Sequence, residues 1–148
     1  MIVDWPVPKV NKEYVLGFMF DEQEKNVVVI KKIKPDWQAG SLNGIGGKIE
    51  SHDKDSVSAM VREFKEETGK ETTEKDWKSF ALMERHGDYR VWCFKTFAKE
   101  LNVTTKEDEQ VLVMLIDDLK DYKRINNLDY LIELALDKTI IIAKLEVA

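Results

Sequence analysis

At 148 residues, with 43% apolar and 34% charged side chains, the chain has the length for one domain, 1–148, with its own core, and a soluble, globular balance. It holds no run near the roughly 18 apolar residues that span a bilayer, and Met1 to Lys12 lacks the basic start and apolar stretch of a secretory leader, so a cytoplasmic chain with no membrane partner is expected. A net charge of −5 argues against a dedicated nucleic-acid binder, and a single cysteine, Cys93, excludes an intrachain disulfide framework.

Tyr14 to Phe20 is apolar and β-prone, Asp21 to Asn26 is a polar turn, and Val27 to Ile33 is a second strand able to pair with the first as a hairpin. Lys34 to Gly40 reads as a loop. Leu42 to Ile45 is a short extended piece that ends in the pair Gly46-Gly47. Val57, Met60, Val61 and Phe64 then fall at i, i+3, i+4 and i+7, one apolar stripe of a helix. Asp55 or Ser56 suits its N-cap and Gly69 its C′ position, so the helix is expected over Ser56 to Thr68. Phe80 to Glu84 and Tyr89 to Ala98 read as strands joined at Gly87-Asp88, Val111 to Ile116 as another, and Leu128 to Asp137 as a second amphipathic helix. Ile140 to Ile142 is either a last strand or more of that helix. The order predicts an α/β sandwich without regular βαβ alternation. Cys93 lies in a strand-like apolar run and reads as a small core residue.

The chemistry lies in Gly46-Gly47-Lys48-Ile49-Glu50 and Arg62-Glu63-Phe64-Lys65-Glu66-Glu67-Thr68-Gly69. At about 100° per residue, Glu63, Glu66 and Glu67 share one side of the helix while Val61 and Phe64 point elsewhere. Crowded carboxylates resist joint ionisation, and a divalent cation relieves that cost. Mg²⁺ takes oxygen ligands and keeps positions open for substrate phosphates. The glycine pair admits a close backbone approach, so a carbonyl there can join a metal shell, and Arg62 can orient a carboxylate or bind phosphate. An isolated Glu-x-x-Glu-Glu is more often a solvated helix face; here a glycine pair, an Arg-Glu and a terminal glycine coincide with it.

The stretch resembles the Nudix box, G-x5-E-x7-R-E-U-x-E-E-x-G-U with U a bulky apolar residue, at Gly47, Arg62, Glu63, Phe64, Glu66, Glu67 and Gly69. Three departures stand out. The interval from Gly47 to Arg62 is one residue longer than the pattern, Asp53 is the nearest equivalent of its first glutamate, and Lys70 replaces its last apolar residue. The resemblance implies a Nudix α/β/α sandwich with a mixed central sheet. It implies Mg²⁺, with Mn²⁺ as the alternative ion, on Glu66 and Glu67, with Glu63 as a further ligand or the general base. It also implies a ligating Gly47 carbonyl and an Arg62 that orients Glu63. Family members often add a carboxylate from a later loop. Of Glu107, Asp108 and Glu109 the reading selects Glu109, as ligand or base. The expected reaction is hydrolysis of a nucleoside diphosphate linkage by metal-activated water.

A narrower resemblance concerns the substrate. Leu42-Asn43-Gly44-Ile45-Gly46-Gly47-Lys48-Ile49 is similar to the Asn-Gly-x-Gly-Gly-Lys segment of the MutT-like branch, which hydrolyses purine nucleoside triphosphates, oxidised ones such as 8-oxo-dGTP included. It implies Asn43 as a reader of the base, against the plain reading of Asn43-Gly44 as a turn. Lys48 is placed to touch a phosphate. Trp37 and Trp92 are able to stack on a base but are expected in the core, and His52 and His86 on the surface. The leading expectation is a triphosphate pyrophosphohydrolase. Two others stand beside it: an enzyme for ADP-ribose, a dinucleotide, a nucleotide sugar or a capped RNA end, and a catalytically silent nucleotide-binding domain. The oligomeric state is left open.

Overall fold

The structure, a computed structural model, describes residues 12–147; the leader reading of the N-terminus falls almost wholly outside them. At its centre is β1 (Lys12–Asp21), followed by β2 (Asn26–Lys31), β3 (Leu42–Asn43), β4 (Ile45–Lys48), α1 (Ser56–Thr68), β5 (Lys78–Arg85), β6 (Tyr89–Ala98), β7 (Gln110–Leu115), α2 (Leu128–Leu136) and β8 (Ala143–Glu146). The described strands form one mixed sheet in the order β3-β2-β1-β6-β5-β8, with β4 also on β1 and β7 also on β2. β1 runs parallel to β6 over its whole length, from Lys12 opposite Tyr89 to Asp21 opposite Ala98. On its other side β4 lies antiparallel along Tyr14 to Gly17, and β2 meets it at Phe20 opposite Val27. The Asp21 carboxylate closes that hairpin, accepting the N–H groups of Lys25 at 2.8 Å and Asn26 at 2.9 Å.

The unbroken apolar runs of β1 and β2 serve two cores, because a strand sends successive side chains to opposite faces. Val15, Met19, Val28 and Ile30 pack with Ala59, Met60 and Phe64 of α1. Leu16, Phe18, Phe20, Val27 and Val29 pack with Leu128, Leu131, Ile132 and Ala135 of α2. The result is the α/β/α layering with a mixed sheet that was expected. Cys93 is fully buried on the α2 side. No helix among the described residues is long and apolar enough to cross a membrane.

Several elements differ from expectation. β2 stops at Lys31, because the N–H groups of Ile33 and Lys34 turn to a side chain instead of a strand. The loop after it contains a 3-10 turn, Asp36–Gln38. The extended piece at Leu42 becomes two strands, and the glycine pair lies inside β4 rather than after it. β5 is longer than its apolar stretch. Helix α2 ends at Leu136, and the last strand is Ala143–Glu146, beyond Ile140 to Ile142, where it pairs parallel with β5.

Helix α1 matches its predicted span. Its inner anchor is Phe64, fully buried and edge-on to Trp77 at 5.1 Å between ring centres. Phe64→Ala should therefore lower unfolding stability by about 3–5 kcal/mol, the usual cost of deleting a buried aromatic ring, as read by chemical denaturation.

Candidate functional site

Both ends of α1 are fixed. At the start, Asp55 Oδ1 accepts the Ser58 N–H at 2.9 Å and Ser58 Oγ accepts the Asp55 N–H at 3.0 Å, a reciprocal cap. At the end, Gly69 adopts φ 75 and donates its N–H to the Lys65 carbonyl at 2.9 Å. The loop before β7 then docks on the last turn. Thr104 N–H donates to the Thr68 carbonyl at 2.9 Å and Lys106 N–H to the Glu67 carbonyl at 3.1 Å. Lys70, the departure from the apolar box residue, is hydrogen-bonded to Asn102 of the same loop.

Arg62 organises the outer face. Its Nε and Nη2 reach the two oxygens of Asp53, each at 2.8 Å, a fork-to-fork pair. Its Nη1 donates to Glu63 Oε1 at 2.9 Å and Glu66 Oε2 at 3.2 Å, and Nη2 also donates to the Lys48 carbonyl at 3.2 Å. The extra residue before Arg62 does not prevent Asp53 from meeting it. The Arg62 hydrogen bond outweighs burial and holds the Asp53 carboxyl down to about 2. The guanidinium is in turn raised above its ordinary value, chiefly by Asp53.

Gly47 lies against this cluster. A Cβ at that position would stand 2.4 Å from the Glu63 carboxyl carbon, so the bare backbone makes the space that Glu63 fills. Burial pushes the Glu63 carboxyl up, and Arg62 only partly offsets it. Glu67 is the more perturbed: burial first, then the negative charges of Glu107, Glu63 and Glu109, raise it to about 7, with Lys32 pulling the other way. Its Oε2 is buried without a hydrogen-bond partner.

Glu109, selected from the acidic run, is turned elsewhere. Oε1 accepts from Lys32 Nζ at 2.9 Å, and Oε2 accepts the N–H groups of Ile33 at 2.6 Å and Lys34 at 3.4 Å. Burial raises its carboxyl, but these donors outweigh that and hold it below its ordinary value. Of the acidic run it is Glu107 whose charge acts most on Glu67.

The donor set suits a hard divalent cation. Carboxylate oxygens are its preferred ligands, and Glu67 keeps a buried oxygen unpaired on a carboxyl raised to about 7, which a cation's charge would relieve. Among the described residues no three acidic side chains are gathered in ligating geometry, since Arg62 holds Glu63 and Glu66. The carboxylates that would supply a cation's ligands are those of Glu63, Glu66, Glu67 and Glu107, while Gly47 lies within the β1–β4 ladder opposite Val15.

A cleft of about 620 Å³ opens on the α2 side, lined by Trp37, Ser41, Tyr89, Tyr130, Val147 and the stretch 123–127 with Asp129. Asn127 is among the lining residues; its Nδ2 donates to Met83 Sδ at 3.4 Å, and its Oδ1 is buried without a partner. The cleft joins the acidic face through one short segment. Leu42 of β3 is hydrogen-bonded to Lys123 and Ile125 of the cleft wall, and Gly47, at the other end of the same segment, touches Glu63.

The remaining predicted residues scatter. Asn43 opposes Ile30, whose side chain packs on the α1 side, and its Oδ1 accepts the Gly44 N–H at 2.8 Å in a local turn. The Lys48 side chain is exposed. Trp37 is 73% exposed, against its expected place in the core, because it rides the 3-10 turn at the cleft wall. Trp92 is half-buried over the α1-side core, and both histidines are exposed. The sequence reading passed over Lys32 and Asn127. Neither carries a motif, and only the fold brings one to the acids and the other to the cleft.

Comparison with known proteins gives a consistent picture. The NUDIX domain family model matches residues 11–134. No curated protein sequence matches the chain. Among solved structures, one from work on MutT of Aliivibrio salmonicida and Vibrio cholerae is similar at TM-score 0.69 and 23% identity, covering 84% of this chain and 96% of that one. The NUDIX domain of Shewanella oneidensis NrtR, complexed with ADP ribose, gives TM-score 0.73 at 14% identity over 86% and 87%. The MutT protein of Bacillus halodurans gives 0.68 at 15% over 91% and 89%. At these identities the likeness is one of fold.

The raised Glu67 carboxyl sets a pH dependence. Without divalent metal the folded chain keeps this proton to about 7 while the unfolded chain releases it near 4.5, so this group's contribution to stability falls as pH rises through that window. Melting of metal-free protein between pH 5 and 8 should show this slope. Glu67→Gln should flatten it.

Proposed function

The chain belongs to the Nudix family of pyrophosphohydrolases, and on that premise we propose that, as one domain over 1–148, it converts a nucleoside triphosphate to the monophosphate and pyrophosphate with Mg²⁺, or Mn²⁺ in its place. The observation that supports the reading is the acidic face of α1, with its buried and unpaired Glu67 oxygen, beside a cleft lined by Trp37, Tyr89 and Tyr130 and tied to it through β3 and β4. Phosphates belong at the first and a base at the second. Asn127, Trp37, Tyr89 and Tyr130 line that cleft, an amide and aromatic rings of the kinds that read and stack on a base. Asn127 is the base reader in this reading, with Asn43 as the alternative on the other face of the segment.

Glu66 and Glu67 would hold the ion, with Glu63, Glu107 and the Gly47 carbonyl as further donors. The bound cation supplies charge neutralisation at the phosphate oxygens and eases deprotonation of water. Glu63 keeps Oε1 on Arg62 and offers Oε2 to take the proton. Arg62, anchored by Asp53, fixes that carboxylate's direction. Lys32, whose charge already acts on Glu67, and the exposed Lys48 are the cations on hand for substrate phosphates. A reducing cytoplasm suits the chain's one cysteine, which is buried. A second reading, cleavage of ADP-ribose or a dinucleotide, draws on the ADP-ribose complex of a structural neighbour.

The test is release of pyrophosphate and phosphate from a panel of normal and oxidised nucleoside triphosphates, ADP-ribose and dinucleotides, with Mg²⁺ and with chelator. Pyrophosphate release from a triphosphate is expected, falling roughly a hundredfold or more in Glu66→Gln, the scale of losing one preorganised electrostatic group. Asn127→Ala should narrow the preference between bases by about tenfold. Turnover confined to ADP-ribose or dinucleotides would move the chain to the second reading. Nucleotide binding without any turnover would make it a binding module.

A further inference from the structure

Glu109 is 8% exposed, yet it spends its oxygens on β2's end rather than on the acids of α1. The Ile33 and Lys34 N–H groups it accepts open the loop that carries Trp37. That loop is closed at its base by the Gly40 N–H on the Lys32 carbonyl at 2.7 Å and the Lys32 N–H on the Ser41 carbonyl at 2.8 Å. Its far end is held by Lys123 Nζ on the Ala39 carbonyl at 2.9 Å. Glu109 also ends a second loop. Residues 104 and 106 of that loop are bonded to the last turn of α1, and Thr105 Oγ1 accepts the Val111 N–H at 2.9 Å. Glu107 sits between these anchors. One carboxylate thus joins the loop that walls the cleft to the loop that brings Glu107 toward the acidic face.

We propose that Glu109 is a positioning residue, a clasp that fixes the Trp37 loop against the Glu107 loop and so sets the spacing between the base cleft and the acidic face. It rests on the reading of the cleft as the base site. A clasp acts through the loop amides it holds, whereas a metal ligand acts on cation affinity and a general base on kcat. Glutamine keeps one acceptor oxygen and turns an NH2 donor either to Lys32 or to the Ile33 and Lys34 N–H groups, so it preserves at most part of the clasp.

The experiment compares E109Q, E109A and E107Q by three readouts. These are amide exchange at Ile33 and Lys34, binding of Mn²⁺ alone followed by electron paramagnetic resonance, and KM with kcat on the triphosphate turned over best. In E109A, exchange at both amides should quicken and KM should rise about tenfold, with kcat and Mn²⁺ affinity within about threefold of the parent chain. E109Q should fall between E109A and the parent in exchange and KM, since one of its amide ends meets donors, and should leave Mn²⁺ affinity within about threefold. E107Q should weaken Mn²⁺ binding about tenfold and leave the two amides protected. If both variants weaken Mn²⁺ as E107Q does, or if kcat falls while the Ile33 and Lys34 amides stay protected, Glu109 is a ligand or a base and the clasp is wrong. If no triphosphate is turned over, it is the substrate reading that has failed, and the exchange and Mn²⁺ readouts still decide the role of Glu109.

Discussion

The arrangement depends on one cation that the chain supplies itself. Four acidic side chains, Asp53, Glu63, Glu66 and Glu67, crowd the outer face of α1 and the loop before it, and Arg62 binds three of them while also reaching the Lys48 carbonyl. A buried carboxylate without a counter-charge or donors is expensive, and neighbouring ones raise the cost. Asp53 takes two of the guanidinium's donors in the geometry that charges it most firmly, and the remaining donors are shared among weaker claims. Glu67 receives none, and its Oε2 is buried without a partner. The contrast between Asp53, held down to about 2 by the guanidinium, and Glu67, raised to about 7 by burial and its acidic neighbours, shows how unevenly that one planar group is shared.

The backbone contributes by what it leaves out. β4 carries no side chain at Gly47, and Glu63 lies where a Cβ would be. The strand edge and the helix can then come close enough for Arg62, on the helix, to bond to the carbonyl of Lys48, on the strand. The same short segment continues to Leu42, where it is laced to the cleft wall. One short run of extended residues thus meets the acidic face at Gly47 and the cleft wall at Leu42.

Much of this was legible in the residues. The apolar stripe of α1, its Asp55 cap and its terminal glycine placed the helix to the residue, because each signal is local and obeys one periodicity. The convergence of Glu63, Glu66 and Glu67 on one side follows from the same turn. What could not be read was set by chain paths that no local pattern encodes. Glu107 and Glu109 are two residues apart in an acidic run, and only the docking of Thr104 and Lys106 on α1 distinguishes them. Trp37 looked like core by residue type but sits on a turn outside any layer. Ile140 to Ile142 had the composition of a strand, yet the partner edge of β5 is reached only by Ala143 to Glu146. Asn127 carries no sequence signal, and only the folded chain brings it to the cleft wall.

The parallel pairing of β1 with β6 has a consequence for how the chain is made. Glu13 and Arg90, ion-paired across that ladder, are 77 residues apart in sequence. Closing so long a loop costs entropy that is recovered only when the ladder forms, and contacts of this range slow folding. During synthesis the first strand, the glycine segment and the whole of α1 emerge before β6 exists, so the acidic helix leaves the ribosome over an unfinished floor. Val15, Met19 and Ile45 can meet its inner face early, but Trp92 and Phe94, which complete that core, arrive only with the sixth strand.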